Sequence, residues 1–183
     1  VYQTKFHIYY DIWIAKIWVG MRSCRIFLNL IIARLLQREC SKWAPLELEE
    51  GGAYADLPQK MIGAIRQMRD DILASVPQML GYVHHDTSTS AFFYPRNDGA
   101  HSSSMTQCSV LGAYFLLWHL YLAGALSINT NKTRCWIIEC LRNISNTTGM
   151  QTAQHLANDL SREEPGLLGI NYLNAFEMLS PDN

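Results

Sequence analysis

The chain contains 183 residues, which is long enough for one domain with a sizeable hydrophobic core. Hydrophobic residues make up 49% of it and charged residues 17%, and its nine Tyr, six Phe and five Trp predict extensive buried surfaces. The net charge of -1 argues against nucleic-acid binding by this segment, because such binding requires a basic patch.

The five cysteines are scattered at positions 24, 40, 108, 135 and 140. An odd number of cysteines without a CxxC pair predicts free thiols in a reducing compartment. Three N-glycosylation sequons begin at Asn131, Asn143 and Asn146, but no signal peptide precedes them, so we expect them to be unused. Because the sequence begins at Val1 inside a structured-looking segment, we expect it to be a piece of a longer protein.

The first predicted element is a long amphipathic helix from Lys5 to Glu39, bent near Gly20. Apolar residues that recur at helical spacing predict its buried face: Phe6, Tyr9, Trp13, Ile17, Cys24, Phe27, Ile31 and Leu35. Four arginines lie on different turns of this helix, which favours a solvated surface over an anion site: Arg22, Arg25, Arg34 and Arg38.

A linker is predicted at residues 40–56, where proline, an acidic run and a Gly-Gly pair occur together. The second helix that follows has a predicted core face of Met61, Ile65, Met68, Ile72 and Val76. Arg66 and Asp70 are spaced for an i,i+4 ion pair. Pro77 predicts a kink or an interruption of this helix, and Gly81 predicts its end.

One long irregular segment is predicted at residues 84–104, where Ser, Thr, Asn, Asp, Gly and Pro dominate. Loops of this length are usually functional or disordered. The apolar insert at residues 91–94 is expected to fold back onto the core.

The chain is organised around a nearly uncharged run from Met105 to Leu126, which a capping box at Ser104-x-x-Gln107 opens. Its small residues would let neighbouring helices approach closely: Gly112, Ala113, Ala123, Gly124 and Ala125. A run that is apolar all round predicts a helix buried on all sides. A membrane span from Val110 to Ile128 is the alternative interpretation, because hydropathy alone does not separate the two.

Two shorter helices are predicted after a polar break. The first runs through Trp136, Ile137, Leu141 and Ile144 and ends near Gly149; the second carries Met150, Ala153, Leu156, Ala157 and Leu160. The tail at 166–183 is half apolar and either covers the core or frays. We find no sequence repeat, no strand pattern and no coiled-coil heptads. The prediction is an all-α fold, an irregular multi-helix bundle around one buried apolar helix.

Candidate catalytic and metal-binding residues are few. His84-His85-Asp86, with His101 nearby, is the best metal candidate, but adjacent histidines on a Ser/Thr-rich loop lack the usual spacing of zinc ligands. His119 is a candidate buried acid or base, but its position alone in an apolar helix favours a neutral core imidazole that donates to a carbonyl. Cys135 and Cys140 do not have the spacing of a redox or metal pair.

Motifs of the large enzyme classes are missing from the sequence: it contains no G-x-S-x-G elbow, no P-loop and no GxGxxG. The adjacent carboxylates Asp70 and Asp71 are predicted to lie on a solvated helix face. We therefore predict no catalytic residue, no cofactor-binding residue and no metal ligand, and a protein that is not an enzyme.

Four stretches carry a family resemblance: HIYYDIWIAKIWVGMRSCRIFLNLIIAR (residues 7–34), DILASVPQMLGY (71–82), GAYFLLWHLYLAG (112–124) and TRCWIIECLRNISNTTGMQTAQHLANDL (133–160). In this order they resemble the fungal-specific transcription factor domain of zinc-cluster regulators. The second stretch is similar to that family's Ala-Ser-Val-Pro segment, and the third to its central helix ending in Trp-x-Leu-Tyr-x-Ala-Gly.

The resemblance implies that residues 1–183 form a single all-helical regulatory domain, the C-terminal fragment of a larger one. It implies a nuclear protein that restrains or senses rather than catalyses. The implied partners are the rest of the same domain, a second copy or a co-regulator protein, and a small-molecule effector. Neither a membrane nor direct contact with nucleic acid is expected for this segment.

Two features depart from the family pattern. The family's central helix often carries a proline where this chain has His119. The six clustered cysteines that hold zinc and grip DNA are also missing from the sequence, so zinc is expected only in a segment further upstream. A second hypothesis follows: a free-standing helical protein, derived from that domain, that binds a hydrophobic metabolite and acts in secondary metabolism.

Overall fold

Five α-helices dominate the structure, a computed structural model that describes residues 6–42, 57–85, 92–93 and 102–162. The helices are α1 (Ile12–Lys42), α2 (Leu57–Met79), α3 (Ser102–Ala125), α4 (Asn131–Thr148) and α5 (Gln151–Leu160). Two short strands, β1 (His84–His85) and β2 (Phe92–Phe93), pair antiparallel between α2 and α3. The predicted all-α class and multi-helix bundle are confirmed.

Helix α3 is the centre of the bundle, because it contacts each of the other four helices. Its glycines allow this close packing. A Cβ atom added at Gly112 would lie 1.9 Å from the carbonyl oxygen of Met79 at the end of α2. One added at Gly124 would lie 2.6 Å from a methyl group of Leu160 on α5. The predicted role of the small residues in close helix contact is therefore confirmed near the middle and at the end of α3.

The prediction that α3 is buried on all sides is wrong in one respect. Tyr114 and Trp118 are 63% and 58% exposed, one turn apart on the same side of the helix. The helix is apolar at these positions too, so hydropathy alone could not distinguish its covered sides from its exposed one.

The ends of α2 and α4 follow the glycine signals in the sequence. Gly81 has a φ of 76°, and the amide of Tyr82 donates to the carbonyl of Pro77 at 2.7 Å, which closes a Schellman motif after α2. Pro77 lies in the last turn of α2 and does not interrupt it. Gly149, with a φ of 73°, ends α4 as predicted.

The core is formed by apolar side chains from all five helices. The predicted core face of α2 is confirmed at all five positions, and so are the buried positions predicted for α4 and α5 except Trp136 and Met150, which are partly buried. The largest fully buried side chains are Ile26, Ile65, Ile72, Leu73, Met79, Leu116, Leu120, Leu126, Ile137, Leu141, Ile144 and Leu160.

The predicted buried face of α1 is wrong. The residues that α1 buries recur at spacings of three or four: Ala15, Val19, Ser23, Ile26, Leu30 and Ala33. The predicted face is largely exposed, including Trp13, Ile17 and Leu35. Because nearly every side of α1 is apolar, periodicity did not identify the packed side. The packed side carries the small residues Ala15, Ser23 and Ala33, which let α1 approach α2 and α3 closely.

Four further predictions need correction or lie outside the described residues. Asp70 pairs with its neighbour Arg69 at 2.8 Å, not with Arg66. The predicted loop at 84–104 contains the two short strands and the first residues of α3. Helix α1 continues to Lys42 into the predicted linker, and the rest of that linker lies outside the described residues, as does the tail at 166–183.

Candidate interaction surface

Helix α1 carries a continuous apolar surface on the side that faces away from the bundle. We call it the outer face; its members are all at least 36% exposed: Trp13, Ile14, Ile17, Trp18, Met21, Phe27, Leu28, Ile31, Ile32 and Leu35. A helix that is apolar all round normally lies buried on all sides. An exposed apolar area of this extent marks a site of interaction with another molecule.

Residues of the outer face recur with the alternating three-four spacing of a coiled-coil seam. The seam consists of Ile14, Ile17, Met21, Cys24, Leu28, Ile31 and Leu35. In heptad notation Ile14, Met21, Leu28 and Leu35 occupy position a, and Ile17, Cys24 and Ile31 occupy position d. The prediction that the sequence contains no coiled-coil heptads is therefore wrong for α1.

The seam lies opposite the buried side of α1. Ile17, Leu28 and Leu35 are 60%, 57% and 52% exposed, whereas Val19 and Ile26 are fully buried. A helix with 3.6 residues per turn places these two sets on opposite sides of its axis. A second helix can therefore pack along the seam without displacing α2 or α3.

Aromatic side chains extend the outer face onto α3. The rings of Trp13 and Phe115 lie 5.4 Å apart and join the two helices. Tyr114 continues this surface, with its ring 6.0 Å from that of Phe115. Trp118 lies edge-on to Tyr121 at 6.2 Å and keeps its outer side exposed. Tyr and Trp at such positions are typical anchors of protein interfaces.

The charged side chains of α1 that border this surface are positive. Lys16 places its ammonium group 4.3 Å above the ring of Phe115 and 5.4 Å from that of Trp13. Arg25 is exposed at the other border of the outer face, and Arg34 at the same border as Lys16. These cations border the apolar surface and leave its centre uncharged.

A polar cluster fixes the start of α1 to α2. The guanidinium of Arg22 lies 3.6 Å from the carboxylate of Asp71 and donates to the hydroxyl groups of Tyr9 and Ser75. It also donates to Nδ1 of His7 at 3.2 Å. The predictions of a solvated Arg22 and a solvated Asp71 are wrong, because both side chains are largely shielded by this cluster.

The backbone of the N-terminal segment is fixed to the same helix. The amide of His7 donates to the carbonyl of Ala74 at 2.9 Å, and the amide of Tyr9 donates to the side chain of Gln78 at 2.7 Å. Gln78 donates back to the carbonyl of Tyr9 at 2.6 Å. These bonds join residues far apart in sequence, so sequence spacing gave no signal for the cluster.

His7 is held in its neutral form. Burial and the nearby positive charge of Arg22 lower the pKa of His7, and Asp71 offsets this in part. Because an arginine has no acceptor, Nδ1 of His7 must accept from Arg22, which places the ring proton on Nε2. That proton points to Asp71, whose carboxylate lies 3.6 Å from Nε2.

His119 connects α3 to α1. Its Nδ1 shares a hydrogen bond of 2.7 Å with the hydroxyl of the buried Ser23, where the sequence predicted a backbone carbonyl as the partner. Burial lowers the pKa of His119 below its ordinary value of 6.5, which favours the predicted neutral imidazole. This hydrogen bond gives each of the two polar side chains a partner where α1 contacts α3.

The cysteines of the described helices differ in reactivity. Cys24 and Cys135 are exposed free thiols. Burial raises the pKa of Cys140 from 9.0 to about 12, so this thiol is protonated at neutral pH. Cys135 and Cys140 form no disulfide.

No group of three metal-binding side chains occurs among the residues that the structure describes. The side chains of the metal candidate at residues 84–86 and His101 lie outside them. None of the described helices is both long enough and apolar enough to cross a membrane.

An open groove of about 400 Å³ lies between α4 and the end of α5. Arg142 and Arg162 line it, and both bond to neighbouring residues: Arg142 donates to Ser161 at 3.4 Å, and Arg162 lies 3.5 Å from Asp159. Glu139 adds an acidic group to the same wall. The groove therefore carries mixed charges, unlike the apolar outer face.

Comparisons with protein-family models, with curated protein sequences and with solved structures found no match for this chain.

Proposed function

We propose that this chain is the regulatory region of a fungal zinc-cluster transcription factor and that it modulates transcription through helix packing in the nucleus. The observation that carries the proposal is the apolar outer face of α1 and its extension onto α3, which is the size and composition of a protein docking surface. The four stretches that resemble the family lie on the five packed helices, which also supports it.

The mechanism is a shift between two populations. When a helix of a partner covers the outer face, one arrangement of the bundle is favoured, and an activation surface elsewhere is masked or exposed. A second copy of the chain, a co-regulator protein and other parts of the same regulatory domain are the partners that suit an extended apolar ridge. A small-molecule effector would act by binding one arrangement better than the other. The zinc cluster and the contact with DNA belong to a different segment of such factors.

The shape of the surface favours this function over binding of a hydrophobic metabolite. Small-molecule sites are concave and enclose most of the ligand. The seam runs from Ile14 to Leu35 along the outside of one helix, a distance of about 32 Å at 1.5 Å per residue. A ridge of that length and curvature matches another helix.

A reporter assay tests the proposal. The chain is inserted between a heterologous DNA-binding domain and an activation domain, and transcription is compared with that of the same fusion without the insert. We expect the chain to change reporter output several-fold. Replacing Trp118 or Ile31 by arginine should remove that change, because a charge on the apolar surface opposes docking.

The control is Gly63→Arg, which places the same charge on an exposed position of α2 with nothing within 4 Å of the added Cβ. This variant should behave like the unmodified fusion at equal protein level. Equal reporter output with and without the chain would contradict a regulatory role. An effect that persists in both surface variants would show that regulation does not act through this surface.

A further inference from the structure

The helix that covers the seam of α1 must itself present an apolar ridge with the same three-four spacing. Ridges of this spacing pack at a shallow angle along their whole length, as in coiled coils. Helix α1 meets that requirement with three consecutive heptads from Ile14 to Leu35. We propose that two or more copies of this chain associate in parallel and in register along the α1 seam.

The exposed area is sufficient for a stable interface. Ten large apolar side chains of α1 are between 36% and 60% exposed. With roughly 180 Å² for a large side chain and about half of it exposed, they present on the order of 900 Å². A stable interface buries about 800 Å² on each partner, so the outer face alone reaches the size that self-association needs.

The flanking residues fit a parallel arrangement. In parallel pairing, position g of one helix lies opposite position e of the next heptad in the other. This places Trp13 against Trp18 of the second copy, and Phe27 against Ile32. Both contacts are apolar and add to the seam.

The charges favour the same direction. In parallel register Arg25 lies opposite Gly20 of the second copy, so it faces no other cation. An antiparallel arrangement that overlaps the whole seam would bring Arg25 close to Arg25 of the other copy, and like charges repel.

The seam composition determines the size of the assembly. Leu at position a and Ile at position d favour bundles of three or four helices over two, and apolar residues at e and g widen the interface in the same direction. Leu28 and Leu35 occupy a, and Ile17 and Ile31 occupy d. The buried side of α1 stays with its own bundle in each copy.

The first test measures the molar mass of the full chain by sedimentation and light scattering. We expect a mass of at least twice the 20.9 kDa of one chain at micromolar concentration. Leu28→Glu should weaken association at least tenfold, because each copy then brings an uncompensated charge into the seam. Gly63→Glu, which adds the same charge to an exposed position of α2, should leave the mass unchanged.

A second test determines direction and register, and it does not depend on whether Leu28→Glu folds. Parallel pairing in register places Cys24 at position d facing Cys24 of the second copy. In a chain with Cys40 and Cys108 replaced by serine, mild oxidation with diamide should link the copies through Cys24. Cys135, which is equally free and exposed on α4, is the internal control and should not link at a comparable rate.

Three results would overturn the inference. The first is a monomer at micromolar concentration. If Cys24 of that monomer also resists alkylation, a different segment of the chain covers the seam. The second is an assembly whose mass does not respond to Leu28→Glu. The third is an assembly without a Cys24 link, which would exclude parallel register. None of these measurements involves transcription, so the inference and the proposed regulatory role can fail separately.

Discussion

Arg22 joins more groups than any other side chain of the polar cluster at the start of α1. An arginine has five donors and no acceptor, so it can serve several oxygen atoms and a ring nitrogen at once. Here these are the carboxylate of Asp71, the hydroxyl groups of Tyr9 and Ser75, and Nδ1 of His7. Because these groups are shielded from water, each needs its partner, and the cluster holds α1 at one position on α2.

The buried His119 leads us to predict how the free energy of unfolding depends on pH. Its pKa is lowered by burial in the folded protein and returns to about 6.5 on unfolding. The unfolded chain therefore binds more protons as the pH falls below 6.5, and the free energy of unfolding should decrease over that range. We expect it to be nearly constant between pH 7 and pH 8, where His119 is neutral in both states. Urea unfolding at a series of pH values measures this dependence.

The variant His119→Gln isolates the contribution of His119 to this pH dependence. It keeps a polar group near the hydroxyl of Ser23 but cannot titrate, so the decrease in unfolding free energy at low pH should become shallower. His155→Gln, at an exposed position of α5, is the control for the replacement of a histidine by glutamine. An unchanged slope in His119→Gln would show that other groups, among them His7, account for the pH dependence.

The contact between helices α2 and α3 depends on the absence of a side chain at Gly112. The Schellman motif at Gly81 ends α2 so that the carbonyl of Met79 points at α3. That carbonyl belongs to the backbone of a capped helix, so it cannot move aside as a flexible side chain would. The two helices can approach this closely only because α3 has a glycine there.

Gly112→Ala should therefore destabilise the protein. The new Cβ would meet the oxygen of Met79 at 1.9 Å and a methyl group of Ile12 at 2.8 Å. Relieving this clash requires a backbone shift, which we expect to lower the unfolding free energy by about 2 kcal/mol. Thermal unfolding followed by circular dichroism gives the measurement.

Gly63→Ala is the matched control, because its added Cβ meets nothing within 4 Å on the exposed side of α2. It should stabilise the protein by about 1 kcal/mol through helix propensity alone. We therefore expect Gly112→Ala to lower the free energy of unfolding and Gly63→Ala to raise it. If both substitutions stabilise, the close approach of α2 and α3 is not a feature of the protein in solution.

The helices differ in how well their sequences predict their packing. In α2, α4 and α5 polar and apolar residues separate onto different sides, and the predicted core positions are buried. In α1 they do not separate, so the sequence offered two apolar sides and the larger residues suggested the wrong one. The choice depends on Ala15, Ser23 and Ala33, whose small size matters only once α2 and α3 are in place.

The whole molecule buries apolar side chains inside the five-helix bundle and exposes others on the outside of α1. Helices α3, α4 and α5 pack against one another around buried apolar side chains, and the hydroxyl of Tyr121 donates to Asp159 across α3 and α5 at 2.5 Å. Helix α1 closes one side of this core and presents an equally apolar surface outward. The candidate surface was not predictable from sequence, because exposure of an apolar residue is set by which neighbours are present.

Cys140 reports on the stability of the whole bundle, because the core around α4 shields its thiol. Only the thiolate reacts with iodoacetamide, and the rise in its pKa from 9.0 to about 12 lowers the thiolate fraction about a thousandfold at neutral pH. Alkylation of Cys140 should therefore proceed through opened molecules and follow the equilibrium population of the open form. Mass spectrometry of peptides gives its rate and that of Cys135 in the same sample.

The destabilised variant Gly112→Ala tests this coupling across the molecule, since residue 112 contacts α2 and Cys140 lies on α4. A loss of about 2 kcal/mol should raise the alkylation rate of Cys140 about thirtyfold if the bundle opens as one cooperative unit. The exposed Cys135 should react at the same rate in both proteins. A rate at Cys140 that does not change would mean that α4 opens independently of the α2–α3 contact.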